Sequence, residues 1–374
     1  MFTREQLETK ELNNLANYAC FSSKSEGRII PEKNDEFRTC FQRDRDRIIH
    51  SKAFRRLKGK TQVFVSHHGD HYRSRLTHTM EVAQIARDMA RTLGLNEDLA
   101  ESIALAHDLG HTPFGHAGEE ALNKKMQEHE ENFEHNQESL RVVKEIERRS
   151  DDYLGLNLSY EVLEGMGKHE THYDKVVESG ALPSLEAQIV NLADEIAYHN
   201  HDLDDGLRSK IFSIESLKEL KIWKNITENM PEIPSHDSDI WIKQFVSKLI
   251  HTMVSDVYKE SARRIEKSGI KNYQDIRKQE QKLVAFSSDF YTKNQELKTF
   301  LFQNFYRHSS VVKMNKEGQK ILSELFDFFI QNPQKIPKEY RQTHKESKVH
   351  FQVRDYLAGM TDNFAEDAYK ELIS

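Results

Sequence analysis

The chain contains few of the residues that interrupt helices. Among its 374 residues are 7 prolines and 15 glycines, whereas 31% of the residues are charged. This composition is typical of a soluble and mostly helical protein. The two cysteines, Cys20 and Cys40, exclude a disulfide framework, and such low usage fits a reducing cytosol.

Long apolar segments and an excess of positive charge are missing as well. No segment approaches the roughly 20 apolar residues of a membrane span, and the start, MFTREQLETKELNN, does not resemble a signal peptide. We therefore expect a cytoplasmic protein with no membrane partner. With 54 Lys and Arg against 61 Asp and Glu, the net charge is −7. Any contact with phosphate or nucleic acid then requires a local basic patch.

Apolar residues recur at steps of three and four along several segments, which predicts amphipathic helices. One such stripe includes Met80 and ends before Gly94, and Asn96 is a suitable N-cap for the next helix. The short segment TQVFV, at residues 61–65, is the one β-like patch. Further helices are predicted over residues 117–149, 157–170 and about 184–201, with a turn at Pro333–Pro337.

Two imidazoles and two carboxylates are placed on three of these predicted helices. His78 falls near the start of the first helix, His107 and Asp108 in the last turn of the second, and Asp194 inside the third. Together they can bind one divalent ion that keeps open positions for water and a phosphate oxygen. A packed histidine beside a helix-ending aspartate is the alternative for a single His-Asp pair. Buried Asp108 and Asp194 without a metal would be costly charges, so we predict metal-assisted phosphoester hydrolysis.

A glycine-rich turn, GHTPFGHAGEE, follows the His-Asp pair and places His116 three residues before Glu119. At the start of a helix these two side chains can face each other. A carboxylate that raises the pKa of an imidazole suits a general acid, which would protonate a leaving alkoxide. Alternatively, Glu119 complements the helix N-terminus and His116 caps the turn. The spacing by itself supports both interpretations equally.

Basic residues precede the metal-ligand candidates. Arg75 lies one turn before His78 and suits phosphate binding. A basic cluster also precedes it, formed by Arg55, Arg56, Lys58 and Lys60. This cluster can bind phosphate or form a solvated helix face, and we favour the solvated face.

Five other histidines could suggest a second metal site. Three fall in a turn-prone segment and are interpreted as surface residues, namely His67, His68 and His71. The remaining two, His199 and His201, stay ambiguous.

Four segments in this order resemble the bacterial deoxyguanosinetriphosphate triphosphohydrolases of the HD superfamily: RDRDRIIHSKAFRRLKGKTQVF, HYRSRLTHTMEVAQIAR, HDLGHTPFGHAGEEAL and LADEIAYHNHDLDDGL. The likeness continues through FYRHSSV, NPQKIP and DYLAGMTDNFA, and it covers about residues 36–370. It implies an all-α fold, with an HD-domain helical core and a helical C-terminal extension. We expect an N-terminal arm over 1–35, the core over 36–210, and a helical region over 211–374 that completes the substrate pocket and the oligomer contacts.

The resemblance implies hydrolysis of a dNTP, with dGTP favoured, to a deoxynucleoside and tripolyphosphate. It implies one divalent ion per chain (Mn²⁺, Mg²⁺, Fe²⁺, Co²⁺ or Ni²⁺), bound by His78, His107, Asp108 and Asp194. It also implies a homo-oligomer and a nucleotide or single-stranded DNA effector. The alternatives are another HD-type nucleotide phosphohydrolase, and a nucleotide-sensing or single-stranded-DNA-binding protein with little catalysis.

The same resemblance assigns roles to further residues. His116 and Glu119 match the catalytic histidine and its acidic partner, and His135 is similar in placement to a further active-site histidine. Matches near the α-phosphate are Arg75 and His111, and matches around the sugar are Gln62, Tyr198 and Asp202. Two departures stand out. Glu195 replaces a phosphate-contacting Lys of a relative, so Arg307 or the basic cluster would have to bind the triphosphate, and Asn363-Phe364 replaces Arg-Tyr.

Overall fold

The computed structural model describes residues 1–62, 73–167, 181–228, 230–233, 239–343 and 348–373. Within these ranges the regular elements are helices, joined by turns and isolated β-bridges, so the predicted all-α fold is confirmed. Among the described helices, none combines the length and apolar character of a membrane span. The helices are, in chain order, α1 (Arg4–Asn14), α2 (Cys40–Ile49), α3 (Lys52–Arg56), α4 (Arg75–Thr92), α5 (Glu97–Ala106), α6 (Gly115–Gln127), α7 (His135–Arg141), α8 (Tyr160–Gly167), α9 (Leu185–Arg208), α10 (Ile214–Leu217), α11 (Lys221–Thr227), α12 (Asp239–Ser268), α13 (Tyr273–Ile276), α14 (Ser288–Leu301), α15 (Ser309–Gln331), α16 (Lys338–Thr343), α17 (Val349–Ala358) and α18 (Asp362–Leu372).

Local sequence signals determine where the central helices begin and end. Ser74 caps α4 by accepting the N–H of Thr77, Asn96 caps α5, and Ser184 caps α9. Each cap stabilises its helix by about 1 kcal/mol, because it satisfies an N–H that has no intrahelical partner. Gly94, with φ 68°, follows the end of α4 as predicted.

Helices α4, α5 and α9 pack against one another, with α2 on α5 and α12 on α9. The larger hydrophobic core includes Ile103 on α5, Ile196 on α9 and Leu249 on α12, so it continues past residue 210. A second core joins α6 to α15, α17 and α18, and includes Phe114 and Phe326. The C-terminal helices therefore pack against the helix that carries His116 and Glu119.

Three sequence predictions need correction. Residues 117–149 do not form continuous helix, because α6 ends at Gln127 and the chain turns through Glu130, with φ 63°, before α7. The intervening residues favour helix by propensity, but tertiary packing overrides that preference. Helix α9 continues to Arg208 rather than ending near 201, because Leu203 and Leu207 are buried in the core. Met80, predicted on the apolar stripe, is 58% exposed.

The predicted N-terminal helix and the predicted Pro333–Pro337 turn are confirmed, whereas part of the β-like patch lies outside the described residues. Residues 1–35 contain α1 and an irregular continuation, and the Pro333–Pro337 turn separates α15 from α16. Of the β-like patch, Thr61 forms an isolated antiparallel bridge with Ser74. Residues 63–65 lie outside the described residues, as do His67, His68 and His71.

Candidate metal and phosphate site

The four predicted metal ligands lie together where α4, the end of α5 and α9 meet. Nε2 of His78 is 2.9 Å from Oδ1 of Asp194. Nε2 of His107 is 3.5 Å from Oδ1 of Asp108 and 3.7 Å from Oδ1 of Asp194. One ligand atom each of His78, His107 and Asp108 lies within 4.8 Å of the other two. The helices therefore bring two imidazole nitrogens and two carboxylates towards one point.

The hydrogen bonds and charges of this group suit metal binding. Nδ1 of His107 is 2.6 Å from the carbonyl oxygen of Ala104, so it donates there and leaves Nε2 unprotonated towards the acids. Burial alone would raise the pKa of Asp108, but Arg75, His107 and His78 hold that pKa well below its usual range. Metal binding requires neutral imidazoles and ionised carboxylates, so this donor set fits a divalent ion with nitrogen and oxygen preference.

Arg75 lies beside the candidate ligands, and some of its N–H groups have no hydrogen-bond acceptor among the described residues. Its side chain is buried, and Nη1 donates to Oδ2 of Asp108 at 2.8 Å. Within the described ranges, Nε and Nη2 of Arg75 have no hydrogen-bond partner. A buried N–H without an acceptor is costly, whereas phosphate oxygens match the guanidinium geometry. The structure thus places a guanidinium with the capacity to bind an anion directly next to Asp108.

Three further histidines surround one carboxylate next to this site. The rings of His111 and His135 stack with centroids 4.1 Å apart, and the ring of His116 lies 5.2 Å from that of His111. Oε1 of Glu119 lies 2.8 Å from Nδ1 of His135 and accepts the backbone N–H of that residue at 2.9 Å. Its Oε2 lies 3.3 Å from Nδ1 of His116. The predicted His116–Glu119 contact is present, but Glu119 is shared with His135.

The three rings differ in charge and access. Burial would lower the pKa of His135, but contact with Glu119 raises it to about 9. The ring is therefore an imidazolium at neutral pH. Burial and the charge of Arg75 lower the pKa of His111 well below its ordinary value, so that ring is neutral. Because metal binding would require His135 to release its proton, the neighbouring group of Asp108, His111 and His135 is less suited to a metal than the group of His78, His107 and Asp108. The side chain of His116 is 34% exposed, which makes it the most accessible of the three.

Of the predicted sugar-binding residues, Tyr198 lies next to the candidate metal ligands, and Asp202 and Gln62 are buried. The ring of Tyr198 lies 6.5 Å from that of His78 and stacks against Tyr306. Asp202 is fully buried, and neither of its carboxylate oxygens has a partner in the part of the chain that the structure describes. Burial raises the pKa of Asp202 well above its ordinary value, which favours the neutral form of the carboxyl group. Oε1 of Gln62 is likewise buried and without a described partner.

The basic cluster does not form one solvated face, so that prediction is wrong for two of its members. Lys60 is 2% exposed, and Nζ donates to the carbonyl oxygens of His111 and Ala358. Arg56 donates to the hydroxyl of Tyr340 at 2.9 Å. Sequence reasoning missed both contacts, because their partners are distant in the chain.

The structure also shows the contacts of the candidate triphosphate-binding residue Arg307 and of the substituted positions. The Arg307 guanidinium lies over the ring of Phe302, 4.8 Å from the centroid. Glu195 accepts from the Asn294 amide at 2.7 Å. Asn363 and Phe364 are exposed on α18.

His201 is a functional candidate that the sequence left ambiguous. It is buried, its Nδ1 is 3.3 Å from Nδ1 of His78, and its Nε2 contacts the carboxylate of Glu81. The signal available in the sequence is its position seven residues, or two helical turns, after Asp194. His199, also buried, instead contacts Oδ1 of Asn294 at 3.0 Å.

Two family models match the chain. The HD domain model covers residues 75–199, and the phosphohydrolase-associated domain model covers residues 284–371. The first interval contains all four candidate ligands, and the second contains the C-terminal helices from α14 to most of α18.

Several proteins named deoxyguanosinetriphosphate triphosphohydrolase-like protein are similar over their whole length. The protein from Geobacter sulfurreducens is 46% identical over 379 residues, which covers 100% of this chain and 98% of the relative. The Leptospira interrogans protein is 44% identical and covers 99% of each chain. The Bordetella pertussis protein is 46% identical, covering 96% of this chain and 97% of the relative.

Proposed function

The chain belongs to the deoxyguanosinetriphosphate triphosphohydrolase-like family of HD-domain proteins, and on this premise we propose that it is a metal-dependent dNTP triphosphohydrolase. The proposed reaction converts a dNTP, with dGTP as the preferred substrate, and water into the deoxynucleoside and tripolyphosphate. The observation that carries this proposal is Arg75, a buried guanidinium with two nitrogens unpaired among the described residues, bonded to the candidate ligand Asp108.

The substrate's α-phosphate is assigned to the space beside Arg75 and the four ligands. A divalent ion bound by His78, His107, Asp108 and Asp194 would polarise the phosphate and lower the pKa of a bound water. Arg75 donates to a non-bridging oxygen and offsets the charge that develops there. The neutral His111 provides an additional polar contact. The His135 imidazolium, which stacks against His111, adds positive charge to this region.

His116 is proposed as the acid that protonates the departing 5′-oxygen. Its partial exposure gives a bound substrate access to the ring, and Glu119 orients the ring through Nδ1. General acid catalysis typically contributes about 10²–10⁴-fold to the rate. Because Glu119 also contacts His135, one carboxylate sets the positions of both proposed catalytic rings.

Deoxyribose is proposed to bind near Gln62, Tyr198 and Asp202. The buried carboxyl group of Asp202 and Oε1 of Gln62, both without a described partner, can form hydrogen bonds with sugar hydroxyls. The polar groups of such a site match the hydroxyls of deoxyribose. An additional hydroxyl on the sugar crowds these groups or leaves one of them unpaired. GTP should therefore be a poor substrate. We also propose that the protein is a cytoplasmic homo-oligomer whose C-terminal region, 211–374, completes the pocket.

Product analysis tests the proposed function directly. Purified protein is incubated with Mn²⁺ or Mg²⁺ and each dNTP or GTP, and the products are resolved by anion-exchange chromatography. Tripolyphosphate and deoxynucleoside are the expected products. Orthophosphate or pyrophosphate as the product would indicate a different HD-type hydrolase. Nucleotide or single-stranded DNA binding without turnover would indicate a sensor or binding protein.

A further inference from the structure

One buried carboxylate in the C-terminal region anchors the turn that carries His116. Oδ1 of Asp362 accepts the backbone N–H of Phe114 at 2.9 Å, and Oδ2 accepts the backbone N–H of Thr61 at 2.8 Å. Asp362 is 2% exposed. Phe114 precedes His116 by two residues, and Thr61 precedes Gln62. The same side chain therefore joins the segment that leads to a proposed acid to the segment that leads to a proposed sugar-binding residue.

The turn needs such an anchor because its backbone is strained. Phe114 has φ 61° and Gly115 has φ 58°, and the left-handed region costs a residue with a side chain about 1–2 kcal/mol. Phe114 is the N-cap of α6, yet its side chain makes no capping hydrogen bond. Its buried N–H would lose its acceptor without Asp362. The left-handed conformation of Phe114 is kept because several surrounding contacts hold the turn in place.

Two neighbouring contacts support the same anchor. Nζ of Lys60 donates to the carbonyl oxygens of His111 and Ala358, which joins the start of the turn to the end of α17. On α15, a Cβ atom added at Gly318 would lie 2.7 Å from Cβ of Phe114, so a glycine is required for this close approach. Three C-terminal helices thus hold residues 60–61 and 111–114.

Asp362 is not needed to cap its own helix. Thr361 is the N-cap of α18 and accepts the N–H of Phe364 through its hydroxyl. Both oxygens of Asp362 instead accept from other segments, at separations of 301 and 248 residues. These two bonds end on backbone amides rather than on a candidate metal ligand.

We propose that Asp362 is a positioning residue of the reaction, which holds the His116 turn and the Gln62 segment at a fixed distance. The inference rests on the proposed function, since it assigns Asp362 an effect on proton donation by His116. A displacement of about 1 Å at a reacting group can cost on the order of 10²-fold in rate. Asp362 therefore affects turnover through the position of His116, without contacting the substrate.

The Asp362→Asn variant tests this role with little change in size. The substitution replaces one acceptor oxygen by an NH₂ donor, which faces either the Phe114 or the Thr61 amide. We expect kcat to fall about 10–100-fold, while the affinity for Mn²⁺ stays within twofold of wild type. Asp367→Asn is the matched control on the same helix, because the Asp367 side chain is 78% exposed; its kcat should not change.

A double-mutant cycle with His116→Ala shows whether Asp362 affects kcat through His116. If Asp362 acts through His116, Asp362→Asn should change kcat less than threefold in the His116→Ala background. An equal loss in both backgrounds overturns the proposal. So does a fall in Tm of more than 10 °C accompanied by weaker Mn²⁺ binding, because that combination indicates a general structural role.

Hydrogen exchange provides a readout that is independent of turnover. In Asp362→Asn, peptides containing Thr61 and Phe114 should exchange faster, whereas peptides from α5 should not change. Unchanged exchange around Phe114 would overturn the anchor itself. If wild type hydrolyses no dNTP, the proposed function fails, and the exchange result still decides separately whether Asp362 holds the turn.

Discussion

Nδ1 of His78 lies 3.3 Å from Nδ1 of His201, although 123 residues separate them in the chain. One of these two nitrogens must carry the proton that they share. When His78 donates, its Nε2 is left unprotonated towards Asp194, and Nε2 of His201 lies against the carboxylate of Glu81. Partners of this kind fix the tautomer and ring orientation of a metal-binding histidine.

Replacing His201 should weaken metal binding without unfolding the protein. We expect His201→Gln to lower the affinity for Mn²⁺ about 10–100-fold, because the orientation of His78 is lost. Isothermal titration calorimetry on metal-free protein measures this change. The control is His199→Gln, a buried histidine on the same helix that contacts Asn294. Equal affinities in the two variants would exclude His201 from the metal site.

Removal of Asp194 should abolish stable metal binding. Wild type is expected to contain about one divalent ion per chain, and Asp194→Ala far less, since it loses an anionic ligand that faces both imidazoles. Elemental analysis of the two purified proteins measures the metal content. The ligand assignment would have to be revised if the variant kept the wild-type content.

His116→Ala should fold and retain its metal but turn over about 10²–10⁴-fold more slowly. Steady-state kinetics, metal content and Tm are measured together. A variant that is stable, contains metal and remains within a few-fold of wild-type activity would show that His116 is not the acid.

The Glu119–His135 pair should make stability depend on pH. Glu119 raises the pKa of His135 from 6.5 to about 9 in the folded protein, so the folded state binds this proton more tightly than the unfolded state. The resulting stabilisation is fully present below pH 6.5 and is lost as the pH rises through 9. Urea titrations should give a free energy of unfolding about 1–3 kcal/mol lower for His135→Gln than for wild type at low pH.

That difference should shrink between about pH 6 and pH 10, as the folded wild type loses the charge. A difference that stays constant over the range would contradict the assignment of a charged His135. Activity is not needed for this measurement, so the result is independent of the proposed substrate.

Local sequence signals were sufficient to predict the helices that position the candidate metal ligands. Ser184 and Asn96 act within three residues of their own position, and the apolar stripes repeat with the helical period. Such short-range interactions can be predicted from neighbouring residues. The candidate ligand set could also be predicted from the sequence, because two imidazoles and two carboxylates on adjacent helices match the chemistry of a divalent ion.

Tertiary structure decided how the site is held. Glu119 was predicted to contact His116, three residues away, but its closer imidazole contact is with His135. The bonds of Asp362 to Thr61 and Phe114 leave no periodic trace in the sequence. They depend on how the start of α18 lies against the turn before α6, and buried polar groups take whichever partner the packing supplies. The sequence by itself therefore determined the central helices and was enough to predict the candidate metal ligands, whereas packing between distant segments decided which groups position the proposed catalytic side chains.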